Sequence, residues 1–276
     1  MIRGALKADG RIAAKNALKI RAALLQSIDS KNIYDAYLET QPNQSDSLAQ
    51  NRARARAWVL LNVRVNPSPL IPVLERTWAM AWVTGEAAAD QWVAMAEERN
   101  KAVDPSWIDW ETWSPGDLAA ALLLRPTKAF QQFLAQFGIT LKELSATTIN
   151  DIGNAIADAV EMGMSSQKAA KLINKSVANP ARALTIAITE QNRAMSAATV
   201  NRYREMQIQQ MEWEVSDPCP KCAINAGQVV NLGETFNSGN TQPPAHPNCR
   251  CVLLPVIPDF GVDIPEGATL IPVPTR

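Results

Sequence analysis

The sequence predicts a mainly α chain: a long helical N-terminal region followed by a small α+β module at the C-terminal end. Three observations carry that prediction. Apolar residues recur at helical spacing over most of the first 208 positions. The period switches to two at Met211, Trp213 and Val215. All four cysteines and the single histidine of the 276-residue chain crowd between Cys219 and Cys251. The length suits two domains, or one elongated domain with an appended module. Lys+Arg and Asp+Glu balance at 27 each, which argues against a polybasic nucleic-acid coat. The longest apolar runs, such as Ala119 to Leu124 and Val252 to Ile257, fall far short of the roughly 20 residues of a bilayer span, so no membrane anchor is expected. The N-terminus carries basic residues without a compact apolar core behind them, so no secretory signal is read there.

Helix is predicted from Ile2 to Asp29, where Leu6, Ile12, Leu18, Leu24, Leu25 and Ile28 alternate with Arg3, Lys7, Arg11, Lys15, Lys19 and Arg21. The basic residues read as a solvated helix face, with nucleic-acid contact at Arg3, Lys7 and Arg11 as the alternative. Asn32 to Leu38 extends this helix or begins a turn, and Gln41 to Ser47 is a loop. A helix over Ser47–Val65 follows. It carries Arg52, Arg54, Arg56 and Arg64, the first three being further candidates for nucleic-acid contact, and it stops before Pro67. Leu74, Trp78, Trp82, Gly85, Ala89, Trp92 and Ala96 then advance by three or four along one side of a long helix. Bulky Trp next to Gly85 and Ala89 predicts close approach of a second helix.

Asp104-Pro105 breaks the pattern, and the aromatic density of Trp107, Trp110 and Trp113 predicts a packed corner, with an exposed docking surface as the alternative. Ser114, Pro115 and Asp117 suit a helix N-terminus, with the helix running to about Arg125. Another runs from Thr127 to Phe137 and ends on Gly138 as a left-handed cap. Thr140-Leu-Lys-Glu143 matches a capping box that opens a short turn before a helix from Thr148 to Met162, which Gly163 terminates. Ser165 caps the next helix, to Val177, and Asn179-Pro180 precedes a long one from Ala181 to Ile208. The alternation of Met211, Trp213 and Val215 with Glu212 and Glu214 marks a strand with one buried face, and Gln228–Val230 and Arg250–Ile257 are its expected partners. The tail at 256–276, with Pro258, Pro265, Pro272 and Pro274, is extended.

Cys219-Pro-Lys-Cys222 and His246-Pro-Asn-Cys249-Arg-Cys251 offer five ligands in two clusters. A CxxC turn lets two thiolates hold one ion, and His246 with Cys249, three apart across a Pro-Asn turn, can chelate in the same way. The expected metal set is therefore Cys219, Cys222, His246 and Cys249 around a structural Zn2+, with Cys251 the spare and an alternative ligand. Five candidates favour a closed structural site over a catalytic one with an open position. Binding of the only imidazole to metal also removes the base that a Ser-His-Asp or Cys-His protease needs. No phosphate-binding glycine loop, HExxH or paired-carboxylate motif is present, so no catalytic residues are assigned and no small-molecule substrate is expected.

The run from Arg182 through Thr189, Glu190, Arg193 and Ala194, a helix past Tyr203, Trp213, the Asp217-Pro-Cys219-Pro-Lys-Cys222 knuckle, Gly227 and Pro243-Pro-Ala-His246-Pro-Asn-Cys249-Arg-Cys251 resembles the phage Mu protein F-like minor head protein family, over about 162–255. One departure is Ile188, where the family usually has Arg before Thr-Glu; a carboxylate pairing made by that Arg would be absent here or supplied by Arg182 or Arg193. The resemblance implies a minor head protein of a tailed bacteriophage, associated with the portal inside the capsid, acting in head assembly, DNA packaging or ejection. It implies the portal protein, and the major capsid or scaffold protein, as partners. Its location would be the virion near the portal vertex, reached from the host cytoplasm during assembly. Thr189, Glu190 and Arg193 are then candidate partner-binding residues, against the alternative of an exposed helix with local ion pairing. The division expected is a helical region at 1–138 that docks on portal or capsid, a Mu F-like domain at 139–255 with its zinc-binding β module at 211–255, and the tail. Two rival readings are an internal protein that contacts packaged DNA and a capsid maturation protease.

Overall fold

The computed structural model describes residues 2–98, 122–124, 126–215 and 220–257. In chain order the elements are α1 (Ile2–Gln26), α2 (Ser30–Glu39), α3 (Leu48–Asn62), a 3-10 turn (Ser68–Leu70), α4 (Ile71–Glu98), α5 (Lys128–Leu134), α6 (Phe137–Glu161), α7 (Ser166–Val177), α8 (Pro180–Glu205), β1 (Gln210–Glu214), α9 (Pro220–Ala223), β2 (Val229–Asn231) and β3 (Val252–Val256). The chain is mainly helical with one small antiparallel sheet near its C-terminal end, ordered β2-β1-β3. None of the described helices is long and apolar enough to cross a membrane. The packed corner expected at Trp107, Trp110 and Trp113, the helix start at Ser114 and the extended tail lie outside the described residues; residues 122–124 are helical.

Local chemistry sets most of the boundaries. Asp29 breaks the first helix from the second, its side chain accepting from the Lys31 amide at the start of α2. Ser47 and Gln50 form a reciprocal capping box at α3. Gly163 turns left-handed (φ 57°) after α6, and the Asn179 side chain accepts from Ala181 N where Pro180 opens α8. That helix stops at Glu205, three residues earlier than expected, because Gln207 is left-handed (φ 60°).

Two expectations fail between Thr127 and Met162. Gly138 does not close a helix: α5 ends at Leu134, and α6 begins at Phe137 and runs through Gly138 without a positive φ. Thr140-Leu-Lys-Glu143 is not a capping box, and no turn precedes Thr148; both sites are interior to α6. Packing decides this. Leu141 and Leu144 lie against the largest core cluster, Thr140 and Thr148 are buried, and the Thr148 hydroxyl donates to Leu144 O, so the segment gains more as helix than as turn.

The core has three parts, and α8 runs through all of them. The first joins Ile20 and Leu24 of α1, Val59 of α3, Leu70, Leu74, Ile152 and Ile156 of α6, and Ile173 of α7 around Ala183 and Ala187. The second is aromatic: Trp78 and Trp82 of α4 meet Phe133 and Phe130 edge-on, each pair with ring centroids 5.3 Å apart, against Ala194 and Ala198. The third holds Val93, Val200, Tyr203, Met211, Trp213, Phe236, Leu253 and three cysteines. The helix approach predicted from the tryptophan stripe is confirmed at Gly85, where an added Cβ would lie 2.9 Å from Met195 Cα and 3.0 Å from Ala198 Cβ. In β1, Met211 and Trp213 point inward, opposite Val230 and Leu253 respectively.

Candidate metal centre

Among the described residues one group of three side chains can hold a metal ion: Cys222, His246 and Cys249, whose donor atoms all lie within 4.8 Å of one another. Cys219 lies outside the described residues. Cys222 is carried by α9, one short turn stabilised by Asn225 N donating to Cys222 O. The Asn225 carboxamide is tied in turn to Ser238, through Nδ2 to Ser238 Oγ at 2.8 Å and Ser238 N to Oδ1 at 2.8 Å. The other two donors sit on the turn His246-Pro-Asn-Cys249, closed by Cys249 N donating to His246 O at 3.2 Å, with Asn248 at φ 62°. Pro second and a left-handed Asn third is the residue order that a type II turn requires.

The donor set fits zinc. Two thiolates about 2.3 Å from one tetrahedral ion stand about 3.8 Å apart; Cys222 Sγ and Cys249 Sγ are 3.8 Å apart. His246 Nδ1 lies 2.7 Å from Pro247 O and donates to it, which leaves the Nε2 lone pair directed at Cys222 Sγ, 3.1 Å away. Cys222, Cys249 and Cys251 are reduced and buried. The Cys251 thiol is not one of the three converging donors; it donates to Cys249 Sγ. That hydrogen bond holds Cys249 well below the usual thiol range and, together with burial, pushes Cys251 up.

The Thr-Glu stretch of α8 lies beside this centre and is not an exposed helix. Thr189 Oγ1 accepts from Asn248 N at 2.9 Å. Asn192 Nδ2 donates to Cys249 O at 2.9 Å and to Cys251 O at 3.2 Å. Glu190 is only 4% exposed. It accepts from Trp78 Nε1 at 3.1 Å and pairs with Arg193 at 3.3 Å. Burial raises the Glu190 carboxyl above its ordinary range, and Arg193 and Trp78 oppose that rise. Arg193 thus pairs with the carboxylate of the Thr-Glu pair itself. Arg182 instead bridges α6 and α7, with Asp151 at 3.3 Å, Thr148 Oγ1 at 2.8 Å and Val177 O at 3.0 Å.

The basic candidates separate. Arg52 pairs with Asp158 and Glu161 of α6, and Arg54 with Asp46. Arg56 is exposed, and its side-chain stem runs beside Gly153, where an added Cβ would lie 3.5 Å from Arg56 Cγ. Arg3, Lys7 and Arg11 fall on α1, and their side chains are outside what the structure describes; Lys15 and Lys19, farther along, are exposed. Two contributing residues carry no site prediction from sequence: Asn192, and Trp78, which the sequence assigns to core. Their partners lie 57 and 112 residues away, and no local pattern signals such contacts.

No curated protein and no solved structure matches the chain. Residues 150–254, which carry α8 and all three converging donors, match the family described as phage Mu protein F like protein, the family that the motifs between Arg182 and Cys251 resemble.

Proposed function

We propose that the chain is a structural component of a tailed-phage head, held inside the capsid near the portal vertex, with a zinc ion as an internal cross-link. The observation that carries this reading is the coincidence of family match and site. The matched stretch contains a donor cluster of zinc dimensions whose backbone is fastened to α8. Cys222, His246 and Cys249 would hold the ion, with Cys219 completing the set through its CxxC spacing. Bound zinc supplies a clamp between two half-sites that a three-stranded sheet is too small to hold together alone. In this reading residues 1–138 present the docking surface, and the portal, with capsid or scaffold protein, is the partner. Cross-linking mass spectrometry on purified particles tests it. Links from α1 to α4 onto the portal are expected, and a chain absent from both particles and assembly intermediates would overturn it.

A second reading, contact with packaged DNA, is favoured by one observation. Lys15 and Lys19 are exposed on α1, and Arg3, Lys7 and Arg11 precede them at four-residue intervals, the spacing of one helix face. Binding of this kind weakens steeply with salt, and salt-insensitive or absent DNA binding excludes it. Arg52 and Arg54 fasten α3 to neighbouring carboxylates and contribute little to such a surface.

A further inference from the structure

The two halves of the metal centre are held by different parts of the molecule. The Cys222 half is internally braced by Asn225 and Ser238, both within the β module. The His246–Cys249 half belongs to a stretch, from 240 to 251, without helix or strand. What fixes it in space is α8: the Thr189 hydroxyl oxygen takes the Asn248 amide, and the Asn192 carboxamide takes the carbonyls of Cys249 and Cys251. Asn192 is buried, and its Oδ1 accepts from Ser196 Oγ at 3.2 Å, so both ends of the amide are committed. Thr189 and Asn192 are three apart and share a helix face.

We infer that Thr189 and Asn192 are positioning residues for the metal, pre-setting the His246–Cys249 half-site so that metal affinity depends on α8 as well as on the donors. This rests on the zinc reading above. A half-site already held in place loses less freedom when the ion arrives, and the hydrogen bonds behind metal ligands typically carry about 10- to 100-fold in affinity. The structural part of the same contacts would lower the stability of apo and loaded protein alike. The positioning part shrinks the gap between them.

The test uses the full chain, the variants T189V, T189S and N192L, and Zn2+ competed against a chromophoric chelator. Co2+ titration, read in the thiolate charge-transfer band, gives a second measure. T189V retains shape and β-branching but loses the acceptor; T189S keeps it. The expected result is a Zn2+ dissociation constant raised about 10-fold or more in T189V and N192L, near wild type in T189S. The saturated Co2+ spectrum should be unchanged, because the ligands are the same, and the melting-temperature gap between loaded and apo protein should narrow in T189V. Wild-type affinity in a folded T189V overturns the inference, and T189V carries the test alone if N192L does not fold. A wild-type chain that develops no thiolate band with Co2+ removes the zinc reading itself, and the inference with it.

Discussion

Replacing Gly85 by alanine probes the contact on which the two longest helices, α4 and α8, depend. In an isolated helix the change is favourable by about 1 kcal/mol, because glycine loses more backbone entropy. In this structure the new methyl would overlap the Met195 carbonyl oxygen and lie within 2.9 Å of Met195 Cα and 3.0 Å of Ala198 Cβ. Two of these atoms are backbone of α8, so no side chain can rotate away; the helices must part. Overpacking of this kind costs about 1–3 kcal/mol, and more where the backbone must move. Separation would also stretch the hydrogen bond from Thr199 Oγ1 to Gly85 O, already 3.2 Å, worth about 1 kcal/mol. The balance is about 2 kcal/mol of destabilisation, which for a chain of this size lowers the melting temperature by about 4–8 °C. Differential scanning calorimetry on wild type and G85A measures it. A variant as stable as wild type, or more so, would mean that α4 and α8 do not touch at Gly85.

Three further outcomes are expected. Chelation of the metal should abolish the near-UV dichroism of Trp213, which stacks edge-on against Phe236 at 4.9 Å, while most far-UV helical signal remains; an unchanged near-UV band would contradict a zinc-dependent module. Glu190 has a carboxyl pKa raised in the folded state, so its favourable contribution is present below its ordinary 4.5 and is lost as pH rises through the folded value. E190Q should therefore gain melting temperature relative to wild type as pH rises above 4.5, and a difference that stays constant with pH would refute this. R182A removes a 14%-exposed guanidinium from Asp151, Thr148 and Val177, and should cost about 2–3 kcal/mol in urea unfolding; R182K should recover little, since an ammonium cannot fork between those acceptors.

Where the physics is local, the sequence was sufficient. Asn179-Pro180 and Gly163 mark real helix ends, because capping and left-handed turns involve residues a few positions apart; Ser165 sits at the start of α7 without a side-chain capping bond. The tryptophan stripe and the alternation at Met211 and Trp213 were equally legible, since burial imposes its period directly on the chain. Gly138 and the Thr140–Glu143 box show the opposite case. The same residues serve a helix end or a helix interior, and the choice fell to Leu141, Leu144 and Thr148 packing on distant helices. At the candidate metal centre, the convergence of Cys222, His246 and Cys249 was readable from spacing. The turn that carries Cys249 was readable too, because Pro-Asn encodes it. The support from Thr189 and Asn192 was not, because it joins segments 59 and 57 residues apart.

The passage of α8 through all three core clusters also bears on how this protein can be divided. A fragment limited to the family-matching residues 150–254 would keep the metal donors. It would also lay bare the side of α8 that α1 and α4 cover, from Ala183 and Ala187 through Ala194 to Val200. Such a fragment should be sticky and self-associating in solution, and the helices ahead of it should act as its built-in solubiliser.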